Sequence, residues 1–290
     1  MEQYVNSLDA TDNYANLLLS LPQLAPITVL SVFFLTLARL LPILVQAPFL
    51  GAKNVPRSIR MTFAVALVAI FLPQNLLAVK TEVPFDMGFI GLMAKELMIG
   101  AVIGFLASAP FFIAQMAGSL IDHQRGSSAL QVNDPTTQSQ TGPIGILYNY
   151  ALIAIFFSLG GPFIFFDGLA NSYVLIPVDT IFHAGLFNYN VSAWKQLFQL
   201  AQKLFELAVQ LSAPALIGIL LTDFFLGIAN RLAPQVQIVF LGMSLKSWVG
   251  IALLAAAWAL ILQVMGKESI AWFKNLSQMI EQVGRAYVQQ

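Results

Sequence analysis

Ser247-Trp-Val-Gly-Ile-Ala-Leu-Leu-Ala-Ala-Ala-Trp-Ala-Leu-Ile-Leu-Gln-Val-Met-Gly266 contains no charged side chain and is bracketed by Lys246 and Lys267. A helix of that length rises about 30 Å, the thickness of a bilayer's hydrocarbon core. Similar apolar windows recur near residues 24–50, 61–79, 88–117, 144–166 and 204–229. The 290-residue chain is 58% hydrophobic and 10% charged, against ~25% charged in a soluble domain, and its mean hydropathy is +0.77. The expected fold class is therefore all-α, a multi-helix membrane protein.

The windows are interrupted. Pro42 and Pro48 fall in the first, Gly160-Gly161-Pro162 in the fourth and Pro214 in the fifth. Membrane helices tolerate such breaks when neighbouring protein satisfies the freed carbonyls, so a tightly packed bundle is expected. The organisation reads as a polar N-terminal segment 1–23, a single helical domain 24–266 with a polar loop 118–143, and an amphipathic tail 267–290. In the tail, Ile270, Phe273, Leu276, Ile280, Val283 and Tyr287 recur at helical spacing and predict a surface helix. Lys195 to Leu211 shows the same period and runs into the fifth window without a turn signal. Glu2, Asp9 and Asp12 make the start acidic, so no cleaved signal peptide is expected.

Net charge is zero and the basic residues are scattered, which leaves no nucleic-acid footprint. The absence of cysteine excludes disulfides, thiolate metal sites and thiol nucleophiles. His123 and His183 are far apart and no metal spacing or nucleophile–base pattern occurs, so neither metal, cofactor nor enzyme activity is expected. Topology is contradictory. Lys53, Arg57 and Arg60 make the first loop basic, and Lys267, Lys274 and Arg285 make the tail basic, yet six strict crossings would put them on opposite sides. Either one segment is not a full crossing, or the helices do not share a bilayer in the ordinary way.

Polar residues inside apolar runs are expensive and so carry information. Glu96, Gly100, Gly104 and Ser108 step by four along one helical stripe, a spacing that admits a second helix closely. Lys95 is set aside as a partner for Glu96, because adjacent helix positions do not face each other. A first polar island contains Asp122, Gln124, Arg125 and Gly126, followed by Asn133-Asp134-Pro135. Asp122 and Arg125 can pair three residues apart, Gly126 reads as a helix stop, and Asn133-Asp134-Pro135 reads as a cap with proline opening the next helix. The second island contains Asp223, Arg231, Pro234, Gln235 and Lys246. Asp223 and Arg231 lie about 12 Å apart along one helix, so each is expected to find its partner elsewhere.

Together, Gly118-x3-Asp122-x-Gln124-Arg125-Gly126, Asp134-Pro135 and Asn230-Arg231-x-Ala233-Pro234-Gln235-x4-Phe240-x-Gly242-x3-Lys246 resemble the T-subunit family of the type III secretion export apparatus, related to the flagellar protein FliR. The likeness extends to the Arg39–Pro42–Pro48 and Pro56–Arg60 region, and Asp-x-Gln-Arg-Gly favours the virulence injectisome branch. Gln237 and Ser244-Leu245 depart from the flagellar pattern. The resemblance implies an R-subunit-like helical region followed by an S-subunit-like C-terminal hairpin. It further implies a place in the inner-membrane export gate beside R, S, U and V subunits and the inner-rod or needle-base components. Membrane lipid and unfolded secreted proteins would be its other partners. Two other classes fit parts of the pattern. A secondary transporter could use Glu96, Asp122 and Asp223 as a relay, although no repeated halves are evident. A plain membrane scaffold would need neither island.

Overall fold

The computed structural model describes residues 25–51, 55–79, 82–126, 132–133, 140–180, 192–232 and 238–288. Among them seven α-helices form: α1 (Pro26–Gln46), α2 (Arg57–Ala78), α3 (Met87–Gln124), α4 (Pro143–Ser158), α5 (Gly161–Leu175), α6 (Ser192–Leu232) and α7 (Ile238–Val288). A two-residue ribbon, β1 (Val132–Asn133) against β2 (Gln140–Thr141), stands between α3 and α4. Five helices are long and apolar enough to cross a membrane, and α4 with α5, bent by 74°, makes a broken sixth. The chain is a multi-helix membrane protein.

Local chemistry sets the helix ends. Proline opens α1, α4 and α5, where a missing amide costs nothing. The Asp86 carboxylate accepts from the Phe89 amide at 3.0 Å and caps α3. Gly126 ends that helix with φ +80°, a conformation other residues rarely adopt. At the α4–α5 bend Gly160 has φ +72°, and a Cβ on Gly161 would stand 2.1 Å from the Phe156 ring.

The spine is α3, about 57 Å long at 38 residues. Helix α1 crosses it where α3 lacks side chains. A Cβ on Gly100 would meet the Arg39 carbonyl oxygen at 2.1 Å, and one on Gly104 would meet Ile43 Cα at 3.0 Å. The short 3-10 turn after α1, Pro48–Leu50, inserts Phe49 among Phe111, Phe156, Phe165 and Phe273, with centroids 4.9–5.9 Å from it. Helix α2 then returns beside α1, with Asn75 Nδ2 donating to Thr36 Oγ1 at 2.8 Å. The turn after α1 thus sets Phe49 into the aromatic core alongside α3.

Proline breaks inside helices are answered by other helices. Pro110 removes the amide that the Leu106 carbonyl would accept, and Trp272 Nε1 of α7 donates to that carbonyl at 2.8 Å. The same contact lies on the tail. Residues 267–288 continue α7 without a break, and Trp272, Phe273, Leu276, Met279 and Ile280 are buried. This apolar stripe faces α5 and the core, while Lys267, Lys274, Gln278 and Glu281 are exposed on the other face, the amphipathic pattern expected of a helix at the bundle's surface. In contrast, large apolar side chains stand outward on α2, α6 and α7, among them Leu77 (80% exposed), Phe205 (74%) and Trp248 (75%).

Gly100 and Gly91 separate close packing from mere propensity. Gly100→Ala must push α1 backbone away and is expected to destabilise by ~1–3 kcal/mol in a denaturant titration of the detergent-solubilised chain. Gly91→Ala meets nothing within 4 Å and should be neutral or stabilising by up to ~1 kcal/mol. Equal effects at the two positions would mean that the α1–α3 approach is looser than described.

Candidate functional site

Three polar nodes lie at different depths of the bundle. The deepest joins α1, α3 and the C-terminal end of α5. Arg39 donates to Glu96 through Nε (2.5 Å to Oε2) and Nη2 (2.9 Å to Oε1), and both side chains are fully buried. Two further guanidinium protons go to Ser172 Oγ at 3.1 Å and the Ile176 carbonyl at 2.8 Å, while the Tyr173 ring lies 4.2 Å from the guanidinium carbon. A planar fork that satisfies a carboxylate bidentately is what makes such burial affordable.

Lys95 completes this node, against expectation. Its Nζ lies 2.7 Å from Glu96 Oε1 and donates to the Pro177 and Thr180 carbonyls, both at 2.8 Å. Adjacent helix positions diverge at Cβ, but a four-carbon stem is long enough to bring the ammonium back. Two cations against one carboxylate leave an excess positive charge. The loop carbonyls just beyond α5 accept from these cations and, with the Asp179 carboxylate nearby, offset that excess.

The second node closes the polar loop at its base. Asp122 Oδ1 accepts from Arg125 Nη2 at 2.6 Å, and Oδ2 accepts from the Ile144 and Gly145 amides at 2.8 and 3.2 Å. A carboxylate from the last turn of α3 thus satisfies two orphan amides at the start of α4 and sits at its positive pole. Glycines make room for it. A Cβ on Gly142 would fall 2.2 Å from Asp122 Oδ2, and one on Gly118 would fall 2.6 Å from Gly145 Cα. Arg125 also reaches α7, with Nη1 3.4 Å from Ser247 Oγ and its stem against Gly250.

The third node ties α6 to α7 near the hairpin tip, where Lys246 and Asp223 form an ion pair. Both are partly exposed, so water screens the pair and its contribution to stability is small. They border a cleft of about 260 Å³ with Leu226, Gly227, Asn230, Gly242 and Met243.

The nodes bring together Glu96 with the Gly100–Gly104 seam, Asp122 with Arg125, and Asp223 with Lys246. Gln124 and Arg231 are exposed, and among the described residues Arg231 forms no ion pair. Asn133 pairs with Gln140 in the ribbon, and the cap and helix start expected at Asn133-Asp134-Pro135 run into residues outside those described. Asp134, Pro135, Pro234 and Gln235 lie outside the described residues. Sequence reasoning missed the centrality of Arg39, although a single charge in the otherwise apolar α1 is the signal that finds it. Among the described residues no cluster suited to a metal ion occurs.

A multi-span helical bundle with ion pairs buried between its helices, and no catalytic constellation among the described residues, defines a membrane-embedded component. Residues 30–270 match the family described as bacterial export proteins, family 1, and the chain belongs to that family. The secretion system apparatus protein SsaT of Salmonella typhimurium is 32% identical over 73% of this chain and 79% of its own length. Yop proteins translocation protein T of Yersinia pestis is 39% identical over 56% of this chain and 61% of its own length. The flagellar biosynthetic protein FliR of Bacillus subtilis is 29% identical over 87% of this chain and 95% of its own. The higher identities fall on the injectisome side, which agrees with the branch expected from Asp-x-Gln-Arg-Gly. By the match over residues 30–270 the chain is a bacterial export protein of family 1.

Glu96→Gln leaves two buried cations without a full negative partner and is expected to cost ~3–5 kcal/mol, read as loss of folded chain in a graded SDS unfolding assay. Asp223→Asn, at the screened pair, should cost under ~1 kcal/mol in the same assay. A reversed order would sink the ranking of the nodes.

Proposed function

We propose that this chain is a non-enzymatic component of the type III export gate and forms part of the channel through which unfolded substrates cross the bacterial inner membrane. One observation carries the reading: the family match spans residues 30–270 and therefore contains all three polar nodes. The outward apolar faces of α2, α6 and α7 suit lipid and sister subunits of the R and S type, with U- and V-type subunits and inner-rod or needle-base components adjoining the assembly. Roles at subunit contacts fall to the residues near the exposed end of the hairpin, Asp223, Arg231 and Lys246.

The relay-transporter reading is weaker. Glu96, Asp122 and Asp223 each hold a cation, so none is poised as an open ion or proton carrier. Their nodes also occupy different helices' ends and do not line one continuous path.

The test is complementation of a deletion strain, with secretion of a reporter substrate and abundance of the assembled complex on blue native gels as readouts. Wild-type chain should restore both. Asp223→Lys should lower complex abundance at normal chain levels, and Asp223→Lys with Lys246→Asp should recover it, since the exchanged charges attract again. Normal secretion in the deletion strain, or solute uptake by the purified chain alone in vesicles, would overturn the reading.

A further inference from the structure

Lys203 on α6 is the cation that the bundle leaves unanswered in a cavity. Arg39, Lys95, Arg125 and Lys246 each face a carboxylate. Lys203 forms no ion pair or hydrogen bond among the described residues, yet it lines a cleft of about 200 Å³ between α6 and α7. Gln199, Asn275 and Gln278 line the same cleft, and none of their amides is hydrogen-bonded among the described residues. Such amides both donate and accept. Beside this polar mouth lies a small recess bordered by Pro110, Leu204, Leu207, Ala271 and Trp272, with Lys203, Glu268 and Asn275 on its polar side.

The depth of the cleft along its hairpin is fixed by charge. The Asp223–Lys246 pair locks α6 and α7 in antiparallel register at one end. From there Lys203 lies twenty residues back along α6, and Lys267 lies twenty-one residues on along α7. Both intervals rise about 30 Å, one hydrocarbon thickness, so Lys203 and Lys267 mark the opposite rim of this hairpin's apolar belt. Phe205 and Val209 stand outward just inside that rim, 74% and 65% exposed.

We infer that the Lys203 cleft binds the headgroup of an anionic glycerophospholipid. The ammonium takes a phosphodiester oxygen, the amide N–H groups take the other, and the amide carbonyls accept from headgroup hydroxyls. The acyl chains then run along the belt beside Phe205 and Val209. Glu268 shares the recess with Lys203, and Glu206, one turn along α6, accepts from Gln210 Nε2, so the local acidity favours a headgroup with one negative charge over a more highly charged one. The inference rests on the membrane placement in the proposed function and not on export itself.

The experiment uses the full chain purified in mild detergent and exchanged into nanodiscs of phosphatidylglycerol, phosphatidylcholine or both, with retained lipid counted by native mass spectrometry. Phosphatidylglycerol should be retained in preference to phosphatidylcholine. Lys203→Gln should lower that preference about fivefold, the equivalent of ~1 kcal/mol, and Lys203→Arg should keep it. Lys267→Gln, at the same rim outside the cleft, should leave it unchanged. An equal loss in Lys203→Gln and Lys267→Gln would reduce the effect to general surface attraction and overturn the site. So would protection by inorganic phosphate in phosphatidylcholine discs equal to that by phosphatidylglycerol, which would mean a free-anion site. Secretion is not the readout, so a failed lipid result and a failed export result remain distinguishable.

Discussion

The burial of Arg39 is the constraint on which the rest of the structure depends. A guanidinium at zero exposure must find every donor an acceptor, and its acceptors come from three elements: Glu96 on α3, Ser172 on α5 and the Ile176 carbonyl beyond α5. That requirement sets the mutual height of α1, α3 and α5 to within a hydrogen-bond length. Burial of a charge pair is weak evidence for stability in itself, because desolvation consumes most of the attraction. Its value here is specificity. An apolar seam could slide by one turn, whereas the Arg39–Glu96 fork has a single register in which Gly100 and Gly104 also meet the α1 backbone.

How far the sequence discloses this fold follows from what kind of information each feature needs. Helix number and the stripe Glu96–Gly100–Gly104 are legible because they depend on period and composition alone. Gly126 as a helix stop is legible because φ > 0 is a local demand. Lys95 misled because side-chain reach, not Cβ direction, decided its partner. The amphipathic stripe of the tail was legible from its period, but such a stripe says that one face is covered and not by what. Nothing local reveals that Phe49 enters the core, since its surroundings come from four distant segments. Asp122 was legible as a partner for Arg125, but its capping of α4 was not, because Ile144 is 22 residues away.

Broken helices in this chain are repaired by side chains from elsewhere, and the repairs are part of the fold's cohesion. Trp272 answers the carbonyl freed at Pro110, and beside Pro214 the Tyr148 Oη of α4 donates to the Leu211 carbonyl, next to the Gln210 carbonyl that this proline frees. Each repair joins two helices at a place where neither could be regular in lipid alone. The prolines are thus less interruptions than attachment points, and they explain why α7 is held along its second half while its first half faces outward.

These attachments leave the chain with parts of unequal freedom. Glu96 and Asp122 lie 26 residues apart on α3, about 39 Å, and each is pinned by partners on other helices. With Pro110 repaired between them, α3 behaves as a rod fixed near both ends. Among the described residues the polar ties of the α6–α7 hairpin near its tip are the screened Asp223–Lys246 pair and the reach of Arg125 to Ser247. Local freedom concentrates where buried contacts are few and polar groups are exposed. Any adjustment the chain makes to neighbouring subunits or to passing substrate therefore falls on that tip and on Arg125, which joins it to the rod.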